Sequence, residues 1–211
     1  MVSEVDAMYA QTQGETGLAA MSPAVRGALG KVERHRLVPA GQAAAAYRNQ
    51  PLSIGSGQTI SQPYIVALST DLLQIDSSST VLDVGTGSGY QAAVLAEIAS
   101  RVFSVELIES LGSAAGRRLQ ELGYGNIEVG IGDGYQGWPE KAPFDGIVVT
   151  AAAPRVPQAL VDQLRPGARM VIPVGGGGDV QWLKLITRRL DGGYDEKKIL
   201  PVRFVPLVPG K

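Results

Sequence analysis

Apolar and polar positions along this chain follow two rhythms, and the change between them divides it. In the first 75 residues apolar side chains recur at helical spacing. Val25, Leu29 and Val32 follow Ser22-Pro23, a serine N-cap before a proline suited to the first helical position. Ile65, Leu68 and Leu72 follow Pro63 in the same way. Between them, residues 47–63 are rich in Gly, Pro, Ser and amide side chains and read as one long loop, a length that usually marks function or flexibility in a compact domain. After a polar connector over 76–80, short Val/Ile/Leu runs interleave with helical patterns. The predicted order is strand 81–84, helix 90–99, strand 102–105, helix 109–122, strand 127–131, strand 145–150, helix 156–164 and strand 169–174.

Strands apolar at consecutive positions require burial on both faces. The order therefore predicts a doubly wound α/β fold, a mostly parallel sheet with helices on both faces, preceded by an N-terminal helical segment. Residues 182–187 and 202–207, around the Asp191–Tyr194 turn, predict an antiparallel hairpin at the C-terminal sheet edge. The expected organisation is a single domain over 1–211: N-terminal helices and loop in 1–75, a central core in 76–180 and C-terminal strands in 181–211.

The strand at 81–84 ends in the most informative stretch, Val81-Leu-Asp-Val-Gly-Thr-Gly-Ser-Gly89. Three alternate glycines, Gly85, Gly87 and Gly89, let the backbone take left-handed conformations and come close to a bound group, while the following helix offers unpaired N–H groups. In such sheets ligands sit at the carboxyl ends of the strands, so the other strand ends belong to the same set. Glu106 ends the second strand, 21 positions after Gly85, where a carboxylate can accept two hydrogen bonds from a ribose diol. Gly132-Asp133-Gly134 ends the third, where Asp133 either meets an adenine amino group or simply closes an Asp-Gly turn.

Composition narrows the chemistry. A hydrophobic content of 45% over 211 residues suits one domain with a sizeable core. A formal charge of −1 gives no electrostatic case for nucleic acid. The absence of cysteine removes disulfides and thiolate chemistry, and one histidine, His35, leaves little for a metal site and reads as structural. The acidic N-terminus lacks a basic segment followed by an apolar one, and no apolar run is long enough to span a membrane. The expectation is a cytoplasmic protein, monomeric, with neither nucleic acid nor membrane as a partner. The glycine spacing departs from Gly-x-Gly-x-x-Gly, which favours S-adenosylmethionine over NAD; the physical argument alone stops at an adenosine-type cofactor.

Further segments carry a resemblance. Gly55-Ser-Gly-Gln-Thr-Ile-Ser-Gln-Pro63, Gly85-Thr-Gly-Ser-Gly-Tyr90, Gly132-Asp-Gly134, Thr150-Ala-Ala-Ala-Pro154 and Arg203-Phe-Val-Pro-Leu207 occur in order, after Val32-Glu-Arg-His-Arg-Leu-Val-Pro39. Over residues 30–208 the chain resembles the protein-L-isoaspartate (D-aspartate) O-methyltransferases, Rossmann-like class I S-adenosylmethionine-dependent enzymes. The resemblance implies methyl transfer from S-adenosylmethionine, leaving S-adenosylhomocysteine, to the α-carboxyl of isoaspartyl residues in damaged peptides and proteins, which initiates repair. It also implies that Ser61 is the catalytic serine, that Thr59 and Ile60 border the substrate with it, and that Gly85, Gly87, Gly89, Glu106, Gly132 and Asp133 hold the cofactor. Asp83 is expected to brace the glycine loop through its N–H groups or to approach the cofactor's ammonium, and 47–63 and 202–208 to wall the site.

By residue type alone, Ser61 serves equally as a cap for the helix starting at Pro63. The chain departs from the usual family pattern at Asn49, Ser53 and Tyr64, which bears on peptide preference rather than reaction type. The alternatives are a methyltransferase for another acceptor, which would not need the Gln58–Pro63 segment, and a non-catalytic S-adenosylmethionine-binding module. An NAD-dependent oxidoreductase is a weaker third.

Overall fold

The computed structural model describes residues 1–176 and 180–210; the 177–179 part of the expected core segment and Lys211 lie outside the described residues. Its centre is a seven-stranded sheet formed by β3 (Thr80–Val84), β4 (Arg101–Glu106), β5 (Ile127–Ile131), β6 (Phe144–Val149), β7 (Leu164–Val174), β8 (Gln181–Arg188) and β9 (Tyr194–Val202). The spatial order is β5-β4-β3-β6-β7-β8-β9, parallel from β5 to β7 and antiparallel beyond. The chain winds from β3 outward to β5, then returns to β6 on the other side of β3. The switch point between β3 and β6 is where such sheets open a crevice.

Period-two alternation sorts the sheet's apolar residues into two cores. Val81, Val102, Val148 and Val171 face helices α2 (Pro23–Lys31), α3 (Pro63–Leu73) and α4 (Tyr90–Ala96). Leu82, Val84, Phe103, Val105, Ile147, Met170 and Ile172 face the other way, onto α6 (Gln158–Asp162) and the side chains of Tyr135 and Trp138. α5 (Glu109–Glu121) packs against β4 and β5 with Ala115 and Leu119 buried. In α2, Ser22 accepts a hydrogen bond from the Val25 amide at 3.2 Å with Pro23 in the first turn, the cap that the sequence signalled.

Four expectations change. The 47–63 loop contains a β-hairpin, β1 (Leu52–Gly55) with β2 (Gln58–Ile60), turned through Gly55, Ser56 and Gly57, all at positive φ. Its strands are short and mostly polar, so no alternation announced them. Second, the partner of β8 is β9 rather than 202–207. The run Tyr194-Asp-Glu-Lys-Lys198 suits a solvent-facing edge strand and hides its pattern in charge. Residues 203–208 instead leave the sheet and cross its carboxyl edge, where Ala152 and Pro206 form a bridge. Third, a helix precedes the predicted one: α1 (Val2–Thr16) buries only Val5, Tyr9 and Thr16, and docks by the Tyr9 hydroxyl donating to Asp71 at 2.6 Å. Fourth, α6 is shorter than 156–164, and β7 begins at Leu164 rather than 169.

Candidate active site

The glycine loop leaves β3 at the switch point and is held from two sides. Gly85 donates its N–H to the Val105 carbonyl at 2.8 Å, and Thr150, the first residue after β6, donates its hydroxyl to the Gly85 carbonyl at 2.7 Å. Gly85 lies at φ 99°, and a Cβ there would stand 2.5 Å from Thr150 Oγ1, so any side chain is excluded by both conformation and space. Gly87 donates its N–H to Glu106 Oε2 at 2.9 Å. Glu106 Oε1 accepts the Ile108 N–H at 3.0 Å, so the carboxylate, 8% exposed, is locked in orientation with one lone pair on each oxygen still free. Gly89 is the N-cap residue of α4 at φ 88°.

Gly85, Gly87, Glu106 and Thr150 line a cavity with Thr86, Tyr90, Gly134 and residues 205–208; Gly89 lies outside its lining. A buried carboxylate beside a loop without side chains suits a ribose on a nucleoside-type cofactor. The Gly134 backbone, packed so closely that a Cβ would meet Val84 Cγ1 at 2.8 Å, suits a flat ring beside it. Asp133 does not line this cavity. Its Oδ1 accepts the Tyr135 N–H at 2.8 Å, the Asx turn that sequence reasoning held as the plainer alternative. Gly132 stays on the sheet edge, donating to the Glu106 carbonyl at 2.9 Å.

Asp83 differs from expectation. The residue that braces the loop through backbone N–H groups is Glu106, whereas Asp83 is fully buried beneath it and accepts from Ser104 Oγ at 2.8 Å. Ser104 in turn meets Thr86 Oγ1 at 2.6 Å, and Asp83 Oδ1 has no partner among the described residues. Burial pushes the Asp83 carboxyl up to about 7; the Ser104 hydrogen bond opposes the rise and the charge of Glu106 adds to it.

The hairpin closes the other side. Gln58, Thr59, Ile60 and Ser61 line the glycine-loop cavity. A second cavity, bounded by Pro51, Gln62, Ile65 and residues 202–205, shares Thr59, Ser61, Thr150 and Val205 with the first. Ser61 therefore stands at the junction of two hollows. It does not cap α3, whose N-cap position is Gln62 without a side-chain cap bond. Among the described residues the Ser61 hydroxyl has no hydrogen-bond partner, which leaves it available to a ligand. Residues 203–207 are pinned: Gln181 donates to the Phe204 carbonyl at 3.1 Å and accepts its N–H at 2.6 Å, Leu207 donates its N–H to the Ala152 carbonyl at 2.8 Å, and the Tyr135 hydroxyl donates to the Leu207 carbonyl at 3.1 Å.

Sequence reasoning missed Thr150, whose position just past an apolar strand at the switch point was the available signal, and Arg34. The Arg34 side chain is completely buried without a carboxylate. It stacks 4.4 Å from the Tyr90 ring centroid and donates to the Ala46 carbonyl at 2.8 Å, joining the approach to the hairpin to the first residue of α4. His35 lies outside the site, its Nδ1 2.7 Å from the Tyr47 hydroxyl at the surface.

A sequence model of the family described as protein-L-isoaspartate(D-aspartate) O-methyltransferase matches residues 7–211. A protein of Syntrophobacter fumaroxidans named protein-L-isoaspartate O-methyltransferase 2 is 55% identical over 210 residues, covering 100% of this chain and 85% of its own. A solved structure of a protein-L-isoaspartate O-methyltransferase is 27% identical with a TM-score of 0.79, over 98% of this chain; the match spans 65% of that longer protein. The structure of a protein from Plasmodium falciparum, described as a β-aspartate methyltransferase in complex with S-adenosyl-L-homocysteine, shares the fold at 24% identity, a TM-score of 0.78 and 97% coverage of each chain.

Proposed function

The chain belongs to the protein-L-isoaspartate(D-aspartate) O-methyltransferase family, and from that premise we infer that it methylates the α-carboxyl of L-isoaspartyl residues in peptides and proteins with S-adenosylmethionine, releasing S-adenosylhomocysteine. The observation that carries this reading is the junction at Ser61: one hollow lined by the glycine loop and Glu106, a second open beside it, and a free hydroxyl where they meet.

When bound, the cofactor supplies an electrophilic methyl on a sulfonium. Gly85, Gly87, Gly89, Glu106, Gly132 and Asp133 are our candidates for holding it: Glu106 would accept from the ribose, and Asp133, outside the cavity lining, would meet the adenine only through the oxygen its own turn leaves free. Asp83 acts from beneath the loop. Thr59 and Ile60 flank the acceptor, and Ser61 donates its hydroxyl to one carboxylate oxygen so that the other is aimed. None of the residues shared by the two hollows is a base, and none is needed. A carboxylate with a pKa near about 3.9 is already ionised at neutral pH. Catalysis is then orientation, for which well-aligned pairs gain about 7–11 kcal/mol. The hairpin and the 203–208 strap keep out water, which favours a step in which opposite charges cancel.

The three stretches 1–75, 76–180 and 181–211 work as one methyltransferase domain, and no helix of the described residues is long and apolar enough to cross a membrane. We place the protein's work in the cytoplasm as a monomer. The test uses labelled methyl on S-adenosylmethionine and two peptides that differ only in isoaspartate against aspartate. Base-labile label on the isoaspartyl peptide alone is expected, and a D-aspartyl peptide reads the second acceptor in the family's description. Ser61→Ala should slow turnover by about 100-fold, the lower end for loss of a single oriented donor, with S-adenosylhomocysteine affinity retained; equal loss of both would remove Ser61 from catalysis.

A further inference from the structure

The second hollow has an uneven charge. Its walls are apolar or neutral, with Pro51, Ile65, Val202 and Phe204 among them; among the described residues no carboxylate lines it, and one lining residue, Arg203, is ionised. Arg203 is exposed and takes part in no ion pair among the described residues. Its backbone position is nonetheless fixed. Val202 before it ends β9 in register with Gln181, and Phe204 after it has both main-chain groups held by the Gln181 amide. A permanently charged guanidinium thus grows from an anchored backbone at the rim of a hollow whose inner end is Ser61.

We propose that Arg203 is a specificity-determining residue for the peptide: it recognises an acidic side chain adjacent in sequence to the isoaspartyl residue. This rests on the methyltransferase reading above. The reacting carboxylate itself is not its partner. Arg203 lines the outer hollow alone, whereas Ser61, Thr59 and Thr150 line both, so the acceptor sits inside Arg203. A bidentate guanidinium on that carboxylate would also tie up the lone pairs that must attack the methyl. A neighbouring residue of the same peptide, a few ångströms outward along the chain, reaches the rim. There one opposite-charge pair is worth about a two- to fivefold preference and fades as salt shortens the screening length.

The experiment compares kcat/KM for isoaspartyl peptides carrying Glu, Gln or Lys before or after the isoaspartate. The native protein should favour Glu over Lys, through KM, and lose the preference in 1 M salt. Arg203→Lys should keep the order, Arg203→Gln should level it, and Arg203→Glu should invert it. Uniform loss on all peptides, with the order unchanged, would make Arg203 a ligand of the acceptor or a structural residue and overturn the proposal. An order indifferent to these substitutions would do the same. Failure to label even the Gln-flanked peptide would overturn the methyltransferase reading itself.

Discussion

Asp83 is a buried carboxylate with one oxygen on Ser104, the other without a partner among the described residues, and a carboxyl pushed up to about 7. The unfolded chain releases that proton near about 3.9. Between these values the folded protein holds a proton that the unfolded one has lost, so stability is highest below the window and falls as pH rises to 7. Cofactor-free protein should therefore lose on the order of 1 kcal/mol per pH unit from this one group between pH 5 and 7. Asp83→Asn, which keeps an acceptor for Ser104 without the charge, should flatten that slope. Denaturant midpoints at pH 5, 6 and 7 for both proteins decide it, and parallel slopes would refute the assignment. The residue-level site was only partly legible. Gly85, Gly87 and Glu106 could be placed because a glycine run and a strand-end carboxylate advertise themselves. The work of bracing the loop passed from Asp83 to Glu106 because Asp83 is buried against Ser104, whereas Glu106 meets the Gly87 N–H. Arg34 was hidden because a charged residue in a polar stretch reads as surface until its burial is seen.

Among the elements, the parallel strands were readable, since burial on both faces forces unbroken apolar runs such as Gly146-Ile-Val-Val149. The hairpin β1–β2 and the edge strand β9 were not, because one is built of short polar strands and the other carries Asp195, Glu196, Lys197 and Lys198 in succession. The strap at 203–208 was expected near the site but as a strand. What makes it a strap is Gln181, whose amide meets both main-chain groups of Phe204 in the manner of a neighbouring strand. Gln181→Ala removes two bonds worth about 0.5–1.5 kcal/mol each, confined to a peripheral segment. The expected result is faster hydrogen exchange over 203–208 and KM raised for both cofactor and peptide, with the melting temperature nearly unchanged. Unaltered exchange in that segment would mean that the bonds of Ala152 with Val205 and Leu207, and of Tyr135 with Leu207, hold it without Gln181.

For the molecule as a whole, the two cores on either face of the sheet absorb nearly all the large apolar side chains. Those left exposed among the described residues are Tyr47, Ile131, Val180, Leu190 and Val208, on separate segments of the chain. Isolated apolar residues do not make a stable subunit interface, which needs a contiguous patch. Light scattering behind a sizing column should accordingly give the mass of one chain across micromolar concentrations, and a dimer mass would overturn this. Fold class, the glycine loop and the strand-end Glu106 could be read from sequence because each depends on a local pattern. The meeting of the hairpin with the strap could not, because it joins residues 58–61 to residues 203–207 through space.

That distance in sequence has a consequence for a chain made from one end. When the ribosome has released everything through Thr150, the glycine loop, Glu106 and Ser61 are outside the exit tunnel with it, yet the outer hollow still lacks one wall. The strap residues 203–207 follow only after β7, β8 and β9, and their docking onto Ala152 closes the hollow. The site therefore stays open until the three strands after β6 have been made, and a chain truncated before Arg203 should bind nucleoside poorly and leave aged peptides unrepaired.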